Sequence, residues 1–113
     1  MELINALEYS VVLAAQKAEW QAAASVVLPV AAWSEEDGTY TNFQGRVQFA
    51  GKAIAPSGEA LPVWEVFAML LHASGGESRW MSAADVFATL TESVPAFSGI
   101  SLDQTRLPGV VVG

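Results

Sequence analysis

Glu35-Glu36-Asp37 is a run of three adjacent carboxylates. Such a run can supply a general acid and base, or oxygen ligands for Mg²⁺. Nothing in the sequence provides a buried neighbour to shift their pKa values, so a solvated loop is the expected reading. Gly45-Arg46-Val47-Gln48-Phe49-Ala50-Gly51-Lys52 has the glycines and lysine of a phosphate-binding loop, but five residues separate the glycines and Ala53 stands where Ser or Thr should hold Mg²⁺. That assignment fails on both counts. Arg46 lies in a loop between apolar strands, where it either clamps a carboxylate or phosphate or pairs with one of the three upstream acids. His72 is the single histidine, and its place near a helix C-terminus suits the helix dipole better than catalysis. Trp20, Trp33, Trp64 and Trp80 are expected to anchor a core or an interface rather than form a stacking platform.

The elements that must position these groups follow from periodicity. Leu7, Tyr9 and the run from Val11 to Ala14 predict a buried strand. Residues 14–24, rich in Ala, Gln, Lys and Glu, predict a short helix or helical turn. Ser25 to Pro29 predicts a second apolar strand, closed by a proline that cannot donate to a ladder. Strand, short helix, strand is a βαβ unit with a parallel pair, the kind of sheet that is covered on both faces. Residues 34–46 carry turn formers at Asp37-Gly38, Asn42 and Gly45, and predict an ordered loop or irregular hairpin anchored by Tyr40 and Phe43. Arg46 to Ala53 reads as a strand and Pro56-Ser57-Gly58 as a turn. Pro62 then opens a helix, apolar at Val63, Trp64, Phe67, Leu70 and Leu71, that ends at Ser74-Gly75-Gly76 and is expected to be buried nearly all round. Ser82 and Asp85 cap a second helix that runs through Ser93 and stops at Pro95; the tail after Gly99 reads as loop. The chain thus divides into a βαβ element over 1–33, a glycine-rich loop or hairpin over 34–58, and a helical part with its tail over 59–113.

At 113 residues one domain is the upper limit. Apolar residues make up 52% and charged residues only 15%, against about 25% charged in an average soluble domain. Part of the apolar surface is therefore expected to stay exposed or to be covered by a partner, and the chain reads as a piece of something larger, with a homodimer expected in isolation. The net charge is -7, and the five cations are scattered, which excludes nucleic acid as a partner. Only residues 38–58 are net positive, through Arg46 and Lys52. With no cysteine, disulfides, thiolate zinc sites and iron–sulfur ligation are excluded from this chain. The start lacks the positive n-region of a signal peptide, and the apolar stretch from Ala22 to Trp33 is shorter than the ~20 residues of a spanning helix. A cytoplasmic location without membrane insertion is expected.

One resemblance adds to this. Ala24-Ser25-Val26-Val27-Leu28-Pro29, the spaced set Glu35, Gly38, Thr39, Asn42, Gly45, Arg46 and Gln48, then Pro56, Gly58, Glu59, Ala60 and Trp64 together resemble the molybdopterin oxidoreductase family. The likeness is sharp over about residues 24–64 and softer to about residue 100. Within the family it is most similar to the late, C-terminal part of the large iron–sulfur subunit of bacterial NADH-quinone oxidoreductase (respiratory complex I), and it is also similar to formate dehydrogenase α subunits. The family usually has Asp where Ser25 stands.

The resemblance implies an α/β fold: a fragment of a parallel-sheet, Rossmann-like domain, followed by an ordered glycine-rich loop and two helices. It implies that the chain holds no cofactor itself, while the parent subunit carries iron–sulfur clusters and, in the true molybdopterin enzymes, a molybdopterin. It implies a non-catalytic structural and assembly segment in electron transfer from NADH to quinone, with the rest of the subunit and other respiratory-complex subunits as partners at the inner membrane. The alternative is a portion of a catalytic, formate dehydrogenase-like enzyme whose loop contacts the cofactor through Thr39, Asn42 and Arg46. A third reading is a self-standing binding module, for which Met1 before an N-terminal element is the only sign.

Overall fold

A computed structural model describes residues 2–112. Met1 and Gly113 lie outside the described residues, and with them the reading that used Met1. A single helical turn, α1 (Glu2–Asn5), precedes β1 (Val11–Ala14). A 3-10 helix (Glu19–Ala23) then leads to β2 (Val26–Pro29), and the two strands pair in parallel with Val11 opposite Val26. The βαβ expectation thus holds, in reduced form. The helical crossover is confined to five residues, held by the buried Gln21, whose side chain accepts from the Ala18 amide at 3.0 Å and donates to the Gln16 carbonyl at 2.7 Å.

Burial of the first strand is corrected. Leu7, Tyr9 and Val11 are exposed, and β1 starts four residues after Leu7. Leu7 and Tyr9 precede the strand, and among the described residues β1 pairs with β2 alone, so the apolar run is covered only in part.

A second sheet is antiparallel. Strands β3 (Gly38–Thr41) and β4 (Arg46–Ala50) form the expected hairpin, with Thr39 opposite Phe49 and Thr41 opposite Val47. The tail is not a loop as expected: it makes a 3-10 helix (Leu102–Thr105) and then β5 (Val110–Val111), which pairs with the other side of β4. Two short apolar residues beside Pro108 and Gly109 carry too little periodicity to predict a strand. Val47, in the middle strand, is fully buried, and so is Thr105, whose hydroxyl donates to the Leu102 carbonyl at 2.6 Å.

Helices α2 (Val63–Ala73) and α3 (Ala83–Ser93) follow the expected limits. Val66 and Phe87 are their buried contributions to a core that also includes Val30, Ala31 and Val47. The all-round burial of α2 is corrected: Phe67, Met69, Leu70 and Leu71 are all more than a third exposed, and Phe67 borders an open groove, so the described residues cover the helix only in part. The accessible surface is 7989 Å², whereas a compact monomer of 11.9 kDa exposes about 6,000 Å². The radius of gyration is 16.0 Å against about 13 Å for a compact chain of this length. The fold is therefore more open than its length requires, by roughly 2,000 Å² of surface.

Candidate functional site

The three acids lie in the loop before β3, as expected, with Asp37 exposed and Glu35 and Glu36 half-buried, and each has a main-chain partner. Glu35 Oε2 accepts the Ala32 N–H at 2.9 Å, Glu36 Oε2 accepts the Val63 N–H at 2.9 Å, and Asp37 Oδ1 accepts the Lys52 N–H at 2.7 Å. Each carboxylate satisfies a main-chain donor, which is a structural use and leaves no paired acid and base. Glu36 answers a specific need. Helix α2 begins after Pro62, whose side chain offers no acceptor, so its first amides need one from outside. A carboxylate there also meets the positive end of the helix dipole. The absence of a capping side chain at Pro62 was the available sequence signal, but it did not say which residue would compensate.

Between the hairpin and the helix pair lies an open groove of about 570 Å³, lined by Thr39, Phe49, Trp64, Phe67, Trp80 and Leu90 among others. Its wall is overwhelmingly apolar. Trp80 is fixed there by its indole N–H, which donates to the Thr89 hydroxyl at 2.9 Å, and that hydroxyl donates to the Asp85 carbonyl at 3.0 Å. Trp64 and Trp80 therefore act as groove anchors, while Trp20 and Trp33 are exposed.

The glycine-rich turn is a separate device. Asn42 Oδ1 accepts the Gln44 and Arg46 amides at 2.9 and 3.0 Å, and the Asn42 N–H donates to the Arg46 carbonyl at 3.0 Å. Gly45 has φ +75, and a Cβ there would stand 2.7 Å from the Val112 carbonyl oxygen. Glycine is thus required by both backbone conformation and close approach. The Arg46 guanidinium turns to the carbonyls of Pro108 and Gly109 at 3.4 and 3.5 Å, joining β4 to the tail, and not to the upstream acids. Thr39 lines the groove, whereas Asn42 and Arg46 sit at the turn end of the hairpin, outside the groove lining. Thr39, Asn42 and Arg46 are not brought to one point.

The cap of α3 matches its sequence signature with one change. The Ser82 hydroxyl accepts the Asp85 N–H at 3.3 Å, while Asp85 Oδ2 accepts the Met81 N–H at 2.8 Å and the Ser82 hydroxyl at 3.0 Å. The Met81 amide, then the Ser82 hydroxyl, hold the Asp85 carboxyl below its ordinary value. His72 stands exposed in the last turn of α2. The segment from Gly45 to Lys52 is mostly the β4 strand, which is no phosphate cradle. Sequence reading missed Arg106, whose guanidinium lies 4.9 Å over the Phe49 ring. Among the described residues no group of His, Cys, Asp or Glu could hold a metal, and no buried side-chain polar atom lacks a partner.

A family model described as Molybdopterin oxidoreductase matches residues 5–73, and the chain belongs to that family. The chain is 33% identical over 109 residues to the F420-dependent formate dehydrogenase 2 subunit alpha of Methanococcus maripaludis, covering 95% of this chain and 16% of that protein. The F420-dependent formate dehydrogenase subunit alpha of Methanocaldococcus jannaschii is equally similar over the same lengths. The NADPH-Fe(3+) oxidoreductase subunit alpha of Geobacter sulfurreducens is 40% identical over 77 residues, 68% of this chain and 9% of that protein. The chain thus spans less than one fifth of the curated relatives it matches. Its parallel pair, antiparallel sheet and helices form a small α/β fragment of a molybdopterin oxidoreductase domain.

The family implies molybdopterin in the parent protein. In this chain the Asn42 amide oxygen is occupied by two main-chain donors, Arg46 is turned to the tail carbonyls, and Thr39 faces an apolar groove. No helix in the described residues is long and apolar enough to cross a membrane.

Proposed function

We propose that this chain is a structural segment of the alpha subunit of a catalytic molybdopterin oxidoreductase of the formate dehydrogenase kind. In this role it carries no reacting group and completes the fold around a cofactor held by other parts of the subunit. The observation that supports the reading is the identity of 33% across 95% of the chain to a formate dehydrogenase alpha subunit. The hydrogen bonds of the Glu35, Glu36, Asp37, Asn42 and Arg46 side chains to main chain support the structural role. The partner is the remainder of the subunit, which would cover the exposed face of α2. The complex I reading rests on sequence resemblance alone, and the names of the relatives favour the catalytic one.

The test is to purify the complete subunit that contains this chain, measure its molybdenum or tungsten content, and assay formate oxidation with an artificial electron acceptor. Stoichiometric metal and formate-dependent reduction are expected. A subunit without molybdenum or tungsten, containing iron–sulfur clusters only, would return the assignment to the complex I type.

A further inference from the structure

We propose that the groove between the hairpin and the helix pair binds a small organic cation of the alkylated ammonium class. Six of the chain's eleven aromatic residues line it: Tyr40, Phe49, Trp64, Phe67, Trp80 and Phe87. The carboxylates of Glu36 and Asp37 stand in the same lining, and among the described residues no Lys, Arg or His does. Aromatic ring faces carry negative potential and carboxylates carry formal charge, so the whole wall is of one sign. A cation is attracted there and an anion repelled.

The fold already uses this wall in the same way. The Arg106 guanidinium lies 4.9 Å over the Phe49 ring and pairs with Asp103 at 3.3 Å, while Arg106 itself is outside the groove lining. Among the described residues neither Glu36 nor Asp37 joins an ion pair, so the charge of the groove is left for a ligand to balance.

The class of cation follows from what the wall lacks. One oxygen of each carboxylate is taken by a main-chain amide, that of Val63 at Glu36 and that of Lys52 at Asp37. The Trp80 indole N–H is given to Thr89. A primary ammonium, with three N–H donors, would leave donors unmet against such a wall. A metal ion would lack its shell of oxygen ligands, since no metal-holding group exists among the described residues. An alkylated ammonium has no such demand: its apolar substituents meet the rings, and its charge meets their faces and the two carboxylates. The volume of about 570 Å³ falls within the range of about 300 to 1,000 Å³ for small-molecule sites. Trp80, already fixed by its hydrogen bond, has little freedom left to lose on binding.

Equilibrium dialysis of the complete subunit against choline and its uncharged carbon isostere dimethylbutanol tests the proposal. Saturable choline binding is expected, with dimethylbutanol about tenfold weaker or worse. Trp80→Leu keeps an apolar wall and removes the indole face, so choline binding should fall about fivefold or more while dimethylbutanol binding holds. Trp64→Leu applies the same test if Trp80→Leu does not fold. Trp33, 70% exposed and outside the lining, is the control, and Trp33→Leu should change neither probe. Equal affinity for the two probes would overturn the proposal, leaving an apolar slot only. No choline binding would overturn it too, since the rest of the subunit would then fill the groove. Choline binding unchanged in both groove variants would place the cation elsewhere and sink the assignment. Every one of these outcomes is independent of molybdenum or tungsten content, so the catalytic reading stands or falls separately.

Discussion

The carboxylate of Glu36 accepts the backbone N–H of Val63 at 2.9 Å across 27 residues of chain, and so ties the start of α2 to the segment that leads into the hairpin. Glu36→Ala removes the acceptor and strands a helix N-terminal amide, for an expected loss of about 1 kcal/mol. Glu36→Gln keeps an acceptor without the charge and should lose less. Urea denaturation of the two variants checks the order; equal losses would mean that the hydrogen bond contributes nothing.

Asn42 and Gly45 set the hairpin turn together. Asn42→Ala leaves two amides without their side-chain acceptor and should cost about 1 to 2 kcal/mol, while Asn42→Asp should be close to neutral. Gly45→Ala must adopt a positive φ and push into the Val112 carbonyl, so its loss should exceed about 1 kcal/mol. Thermal melting of the three variants would show the ranking, and a tolerated Gly45→Ala would contradict the close approach.

The α3 cap makes stability depend on acid. The Asp85 carboxyl is held below its ordinary 3.8, so its contribution is complete above that value and is lost as pH falls through the lowered folded value. The difference in stability between the native sequence and Asp85→Asn should be constant near neutrality and shrink below about pH 4. A difference that persists unchanged into strong acid would remove the carboxylate from the cap.

Two phenylalanines provide the contrast in packing. Phe87 is 5% exposed in the core and Phe43 is 96% exposed at the hairpin tip. Phe87→Ala should cost about 3 to 5 kcal/mol, and Phe43→Ala should stay within about 0.5 kcal/mol. Denaturation midpoints in the complete subunit apply the same test to Phe67, which is 54% exposed here. If the rest of the subunit covers α2, Phe67→Ala will behave like Phe87→Ala.

What the sequence disclosed was local. The parallel pair, the hairpin, and the limits of α2 and α3 all follow from periodicity, turn residues and caps within a dozen residues of one another. The uses of Glu35, Glu36 and Asp37 were hidden, because their acceptor roles depend on which amides the fold brings near. Helix α2 misled for a different reason: its apolar periphery indicates burial, but the described residues leave Phe67, Met69, Leu70 and Leu71 exposed. The return of Val110 and Val111 to β4 left no pattern at all, being two residues long. For Thr39, Asn42 and Arg46, residue type suggested a shared site, and only the register of the hairpin shows them apart.

The pairing of Arg46 with a tail residue 62 positions later has a consequence for biosynthesis. The hairpin leaves the ribosome first, and at about 5 to 20 residues per second its third strand follows about 3 to 12 s later. Throughout that interval the nascent β4 displays an unpaired border to its crowded surroundings or to a neighbouring polysome chain. Slow translation prolongs the interval, so chaperone supply and a lower chain density per message should decide the yield of properly made protein more than the strength of any finished contact.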